Sequence, residues 1–211
     1  IIADPDRLPK AIFISAFDTA PLAPDNDFTV HSHGDEFQAG IDALAKIANC
    51  KIYLNVNADA AASKVFLNAK NVLVNKFRGP HPSGNVGVQI HNIDPINKDE
   101  VVWFLYPQDV LTIGRLFLEG KYNSSRLVAI TGLSAKNRKY FRVYGGASIK
   151  GLVEYETNPY NIRIISGNVL TGTPITADGH IGFYDYQLTM IPEGHTHEFM
   201  GWLAPGFDKF S

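Results

Sequence analysis

Histidine and carboxylate spacing offers the first chemistry in this chain. His31 with His33, and His195 with His197, form His-x-His pairs, and Asp35, Glu193 and Glu198 stand close by. On a strand that spacing puts both imidazoles on one face, a usable pair of zinc ligands. Both pairs lie in polar, glycine-containing stretches and neither is completed by a third ligand at fixed spacing, so the sequence points to no metal centre. Cys50 is the only cysteine, which rules out an internal disulfide. It ends an amphipathic stretch beside Lys51 and reads as a packed thiol, and a cysteine-ligated iron–sulfur cluster would need several such ligands.

The second suggestive segment is Arg78-Gly79-Pro80-His81-Pro82-Ser83-Gly84-Asn85-Val86-Gly87. Prolines stiffen it, glycines allow close backbone approach, and His81 can donate or accept a hydrogen bond. It follows an apolar strand, at the carboxyl end where open parallel sheets bind ligands. It reads equally well as a rigid connector that turns the chain sharply. The standard nucleotide devices are missing. Ser15-Ala16-Phe17-Asp18-Thr19-Ala20-Pro21 follows the first strand, with no glycine before Gly34, so no GxGxxG turn forms there. A P-loop ending in GK[ST] and a GxSxG nucleophile elbow are also absent.

The elements that must position these groups alternate between strand and helix. Ala11-Ile12-Phe13-Ile14-Ser15 is a buried strand, followed by a Pro- and Asp-rich loop over 18–27. Phe37, Ile41, Leu44 and Ala48 recur at helical intervals and predict a helix over 34–50, with Asp35 and Glu36 in its first turn. Strands follow over 51–56 and 71–75 with a helix between them, then a strand-like run over 88–92 and another strand over 101–106. Pro107 opens and Gly120 closes a helix over 107–119. This order implies an α/β, Rossmann-like parallel-sheet domain over residues 1–122. From Tyr122 onward, strands over 126–130, 139–144, 161–166 and 182–190 surround one short helix over 147–155. They imply a small α+β domain of β-grasp type over 123–211.

Composition narrows the class further. With 45% apolar and 19% charged residues, the chain is an ordinary globular protein. Its net charge of −2 leaves no electrostatic footprint for nucleic acid or anionic lipid. No apolar run reaches the roughly 18–20 residues of a membrane-spanning helix. The first residues, beginning at Ile1, lack signal-peptide character and suggest a fragment or processed product.

Gly79-Pro80-His81-Pro82-Ser83-Gly84, then Gly87 and Ile90-His91, resembles the GPHPAG…G…HIH signature of the A subunit of the sodium-translocating NADH:quinone reductase. The chain departs from it with Ser83 for Ala and Gln89 for the first His. Tyr106 to Phe117 resembles that family's YQDVIAIGKLF segment, with Pro107 inserted. Pro9 to Ala23, Phe37 to Leu44, Arg163 to Gly172 and Gly201 to Ser211 resemble further segments of it, in order along nearly the whole chain.

The resemblance implies a first domain similar to the flavin-binding domain of the complex I flavoprotein subunit and a second similar to its SLBB module. It also implies a peripheral subunit on the cytoplasmic side of the bacterial inner membrane. Such a protein contacts membrane subunits, contributes to ubiquinone binding and complex assembly, and carries no cofactor or independent activity of its own. On that reading the quinone-binding residues are Gly79, His81, Pro82, Gly84, Gly87, His91 and Gln108, with Trp103, Phe104 and Tyr106 as walls. Quinone carbonyls need donors within an apolar cleft, which these residue types supply. Two rivals stand beside it: a docking protein without a ligand site, and a soluble flavoprotein.

Overall fold

A computed structural model of the chain describes residues 3–4, 6–59, 62–154, 161–194 and 203. Strand β1 (Ala11–Ser15) is buried at every position, which demands cover on both faces. It pairs in parallel with β2 (Lys51–Asn57) and with β4 (Val102–Leu105), and β3 (Leu73–Phe77) lies outside β2. The sheet order is β3-β2-β1-β4.

Alternate residues of β1 serve opposite layers. Ile12 and Ile14 join Phe37, Ile41 and Leu44 of α2 (Gly34–Ala48) and Val110 and Leu111 of α5 (Pro107–Glu119) in the main core. Ala11 and Phe13 meet Tyr53 and Ile90 in a smaller core under α4 (Val86–Ile93). Short helices α1 (Asn26–Val30) and α3 (Lys64–Leu67) add Val30 and Phe66 to the main core. Helices α2 and α5 approach so closely that a Cβ on Gly114 would lie 1.7 Å from the carbonyl oxygen of Glu36, so only glycine fits.

Several elements differ from the sequence expectation. The strand expected over 88–92 is helix α4. Its alternating Val88-Gln89-Ile90-His91 mimics a strand, whereas Val86, Ile90 and Ile93 form a helical stripe against the sheet. Helix α2 stops before Cys50 because Asn49 takes a left-handed cap at φ 46°. The loop expected over 18–27 gives way to α1 from Asn26, capped by the Asp25 carboxylate.

The second sheet has the order β6-β5-β9-β7-β8, built from β5 (Ser125–Thr131), β6 (Tyr140–Tyr144), β7 (Ile162–Ser166), β8 (Thr173–Ile175) and β9 (Gln187–Pro192). The central β5 and β9 are parallel and the other pairs antiparallel. Val128, Ile130, Ile164, Leu188 and Met190 form its core with Ile149 and Ile181. The helix expected over 147–155 is, through residue 154, a single turn in which the N–H groups of Leu152 and Val153 both reach the Ile149 carbonyl. Ser148 bridges to His180 at its start, so backbone pairing competes with helix there. The run expected over 182–190 enters the sheet only at Gln187, after a turn at Gly182–Asp185. Strand β8 has no counterpart in the sequence expectation.

Side chains tie the two sheets together. The Gln108 amide donates to the Leu127 carbonyl at 2.9 Å and accepts its N–H at 2.8 Å. The Asp25 N–H reaches the Tyr140 hydroxyl at 2.7 Å, with the Phe28 and Tyr140 rings 4.7 Å apart. Gln187 donates to the Pro21 carbonyl at 3.2 Å. Among the described residues, no helix is long and apolar enough to cross a membrane.

Candidate functional site

In an open parallel sheet the ligand crevice lies where successive connections leave in opposite directions. Here that point is between β1, which leads to β2 and β3 on one side, and β4 on the other. The loop after β1 and the first residues of α5 form its walls, and two turns of the second domain face them. Together they enclose a cleft of about 130 Å³ lined by Asp18, Tyr106, Asn168, Tyr184, Asp185 and Tyr186.

Hydrogen bonds fix most of this lining. Asp109, in the first turn of α5, accepts the Tyr106 N–H at 2.9 Å on one oxygen and the Tyr186 hydroxyl on the other. Burial raises its carboxyl above the usual aspartate range, against the pull of both donors. Burial also holds the Tyr186 phenol far above its ordinary value, reinforced by the Asp109 charge. Tyr106 is pushed up to about 12 by burial, then by the charges of Asp18, Asp109 and Asp185.

At neutral pH both phenols are therefore O–H donors. Tyr186 spends its proton on Asp109, whereas the Tyr106 hydroxyl donates to no group among the described residues. Its ring stands edge-on to Tyr186 at 5.9 Å and to Phe104 at 6.0 Å. On the opposite wall, Ser166 donates to Asp185 at 2.5 Å and accepts the Gly182 N–H at 2.8 Å.

The 79–87 loop packs against the back of the same segment. The Gly84 N–H donates to the Thr19 hydroxyl at 2.9 Å, and His81 Nδ1 lies 3.2 Å from that hydroxyl. A Cβ on Gly84 would fall 2.3 Å from the Thr19 nitrogen, so the contact requires glycine. Ser83 closes the loop on the Gly79 carbonyl at 2.7 Å.

Beneath the loop lies a chain of buried amides. Gln89, fully buried, donates to the carbonyls of Phe17 at 3.1 Å and Gly84 at 3.2 Å and accepts from Asn55 at 2.8 Å. Asn55 accepts in turn from Asn75 at 3.2 Å. One glutamine thus fastens both the β1 loop and the 79–87 loop to the centre of the sheet, and a buried network fully satisfied in this way is rigid.

The expected site residues are dispersed over this edge. His81 and Gly84 meet Thr19, next to the cleft residue Asp18, while Gly79 accepts from Ser83 within the same loop and Pro82 follows His81 in it. Gly87 and His91 are exposed on α4. Gln108 is committed to Leu127 and lines a different, smaller cavity. Tyr106 lines the cleft, Trp103 packs against the main core, and Phe104 is exposed. His33 binds Glu36 at 2.9 Å, and His195 and His197 lie outside the described residues. No three metal-ligating side chains converge among the described residues.

Gln89, Asp109 and Tyr186 are absent from the expected site residues, although Gln89 stands out as a departure from the family signature. A glutamine within an apolar run is the available sign of the first. No local signal pairs Asp109 with Tyr186, which is 77 positions away.

Residues 1–122 match the family described as the NqrA second alpha/beta domain, and residues 127–177 that described as the NQRA C-terminal domain. The A subunit of the Na(+)-translocating NADH-quinone reductase of Shewanella denitrificans is 40% identical over 207 residues, and that of Histophilus somni 37% over 207. Each alignment covers 98% of this chain and 46% of the relative, so the chain spans about half the length of these proteins. Among solved structures, an NAD+-reducing [NiFe]-hydrogenase in the H2-reduced state aligns with a TM-score of 0.60 at 11% identity. It covers 89% of this chain and 41% of that one, a likeness of fold alone. With the sheet topology, the ordered motifs and both domain matches in agreement, the chain belongs to the NqrA family, the A subunits of the Na(+)-translocating NADH-quinone reductases.

Proposed function

We propose that this chain forms part of a peripheral subunit of a Na(+)-translocating NADH:ubiquinone reductase, on the cytoplasmic side of the membrane, and that it binds the quinone headgroup. The observation that carries this reading is the Tyr106 phenol, protonated at neutral pH, its proton uncommitted among the described residues, and lining an aromatic cleft at the switch point. A quinone carbonyl accepts such a donor, and Tyr184 and Tyr186 supply ring surface beside it. The 79–87 loop contributes by holding Thr19 and, through it, the Asp18 wall, with His81 as a second polar group nearby. The chain acts by binding and positioning; electron carriers belong to partner subunits, and it carries no flavin itself. A colourless purified protein is the expected result, and flavin absorbance bands would revive the flavoprotein reading.

The test is titration with a short-chain ubiquinone, followed by Trp103 fluorescence and corrected for absorption by the quinone. Saturable quenching that weakens in Tyr106→Phe, with a smaller loss in His81→Ala, supports the site. Binding unchanged in both variants removes the cleft and the loop from quinone recognition.

A docking role has its own support. Leu170, Phe183 and Tyr184 are each more than half exposed beside the cleft, and exposed apolar residues grouped in this way suit a subunit contact. Loss of assembly in Phe183→Ser with unchanged quinone binding would favour that reading.

A further inference from the structure

The cleft at the switch point is unbalanced in its hydrogen-bonding groups. Gln187 is only 4% exposed, and its amide nitrogen lies 3.2 Å from the Pro21 carbonyl and 3.3 and 3.0 Å from the Thr131 and Thr189 hydroxyls. A carbonyl can only accept, so the nitrogen faces Pro21 and the amide oxygen is the branch left over. Asp185 accepts the Ser166 hydroxyl on Oδ2 at 2.5 Å, and its Oδ1 stands beside Gly167, where an added Cβ would lie 3.3 Å from it. Asp18 accepts the Ala20 N–H on Oδ1 at 2.8 Å.

Gln187 Oε1, Asp185 Oδ1 and Asp18 Oδ2 have no hydrogen-bond partner among the described residues. The Trp103 indole nitrogen is the one side-chain nitrogen or oxygen among those residues that is both buried and unpaired, so all three oxygens reach open space, and all three residues line the cleft. Among the described residues no lysine, arginine or histidine lines it. The neighbouring cation, Arg126, stacks on the Phe183 and Tyr186 rings and donates to the Phe183 carbonyl. Burial first, and then the charges of Asp18, Asp109 and Asp185, raises the Tyr106 phenol, so both cleft carboxylates lie within electrostatic reach of that donor.

We infer that the cleft holds the hydroquinone form of its ligand more tightly than the quinone, a preference that rests on the quinone site proposed above. A quinone presents carbonyl oxygens, which only accept; a hydroquinone presents O–H groups, which donate. Hydroxyl and amide donors of the lining, Tyr106, Tyr184 and Asn168 among them, can serve an oxygen of either form. The two carboxylates and the Gln187 oxygen are satisfied only by a ligand that donates, and an O–H bond to a carboxylate is charge-assisted. Set against a quinone carbonyl, the same oxygens repel it and lose water without replacement. Only contacts that differ between the two forms can separate their affinities, and these acceptors are the difference. One charged hydrogen bond made by one form alone is worth a preference of about tenfold or more. For a two-electron couple, tenfold raises the potential of the bound pair by about 30 mV.

The experiment titrates the 211-residue chain with a short-chain ubiquinone and, separately, with the same compound fully reduced, both anaerobically by calorimetry at neutral pH. The hydroquinone should bind about tenfold more tightly. In Asp185→Asn and in Asp18→Asn the ratio of the two dissociation constants should fall to near one. Each carboxamide keeps an oxygen for the Ser166 hydroxyl or the Ala20 N–H, and circular dichroism confirms that the variants fold. Tyr106→Phe should weaken both forms and leave the ratio as it is. Equal affinities in the unsubstituted chain, or a ratio unmoved by both carboxamides, overturns the preference while the quinone site stands. No saturable binding of either form overturns the site and the preference together.

Discussion

Tyr186 on the second domain donates its hydroxyl to Asp109 on the first, so one hydrogen bond closes the seam behind the cleft. The carboxylate also caps α5 by accepting the Tyr106 N–H at 2.9 Å, so the domain contact and the placement of the cleft tyrosine share one residue.

Removing that donor should loosen the seam. Tyr186→Phe keeps the ring but leaves a largely buried carboxylate short of a partner, at a cost of about 2–3 kcal/mol. Urea unfolding measures it, and a change below a few tenths would mean that the contact adds nothing to stability.

Asp109 should also give stability a distinctive pH dependence. Its folded-state pKa is raised above the ordinary 3.8 by burial, so the folded state holds the proton more tightly than the unfolded state does. Its contribution is full below 3.8 and is lost as pH rises through the raised value. The difference between wild type and Asp109→Asn, plotted against pH, should therefore fall with rising pH across that window. A difference that rises instead would show the carboxylate to be net stabilised by its donors.

Gln89→Leu should be severe for a surface-edge loop. It strands the Asn55 amide and the carbonyls of Phe17 and Gly84, at about 1–3 kcal/mol for each group left buried and unpaired. We expect a loss of about 3 kcal/mol or more in urea unfolding, with faster proteolysis in the 79–87 loop. A near-neutral change would mean that water replaces the glutamine.

Two glycines in that loop should part company. Gly84→Ala drives a Cβ into the Thr19 backbone, costing about 1–3 kcal/mol, and weakens quinone binding if the loop positions the cleft. Gly87→Ala meets nothing within 4 Å, lies in α4 and should be neutral or slightly stabilising. Equal effects at both positions would contradict this packing.

Tyrosine titration by ultraviolet difference should isolate Tyr106. The phenolate signal lost in Tyr106→Phe is expected near pH 12 rather than near the ordinary 10.0. Loss near 10.0 would mean that the ring is open to solvent and would weaken its role as a protonated donor.

Periodicity alone determined β1, α2, α5 and the alternation of strands and helices as far as β3, because the core elements among them bury regular apolar patterns. The glycine- and proline-marked loop over 79–87 and its place on the carboxyl edge were also legible, as was the family, through ordered motifs. Local pattern failed where two periods coincide. Val88-Gln89-Ile90-His91 alternates like a strand, and only the sheet face above Ala11 and Phe13 decides in favour of helix α4. It failed again over 147–154, where bridging to His180 outcompetes a helical ladder. The cleft was settled by tertiary structure alone. Asp109 and Tyr186 become neighbours only when the two sheets dock, and hydrogen-bond geometry across that distance leaves no periodic trace in the chain.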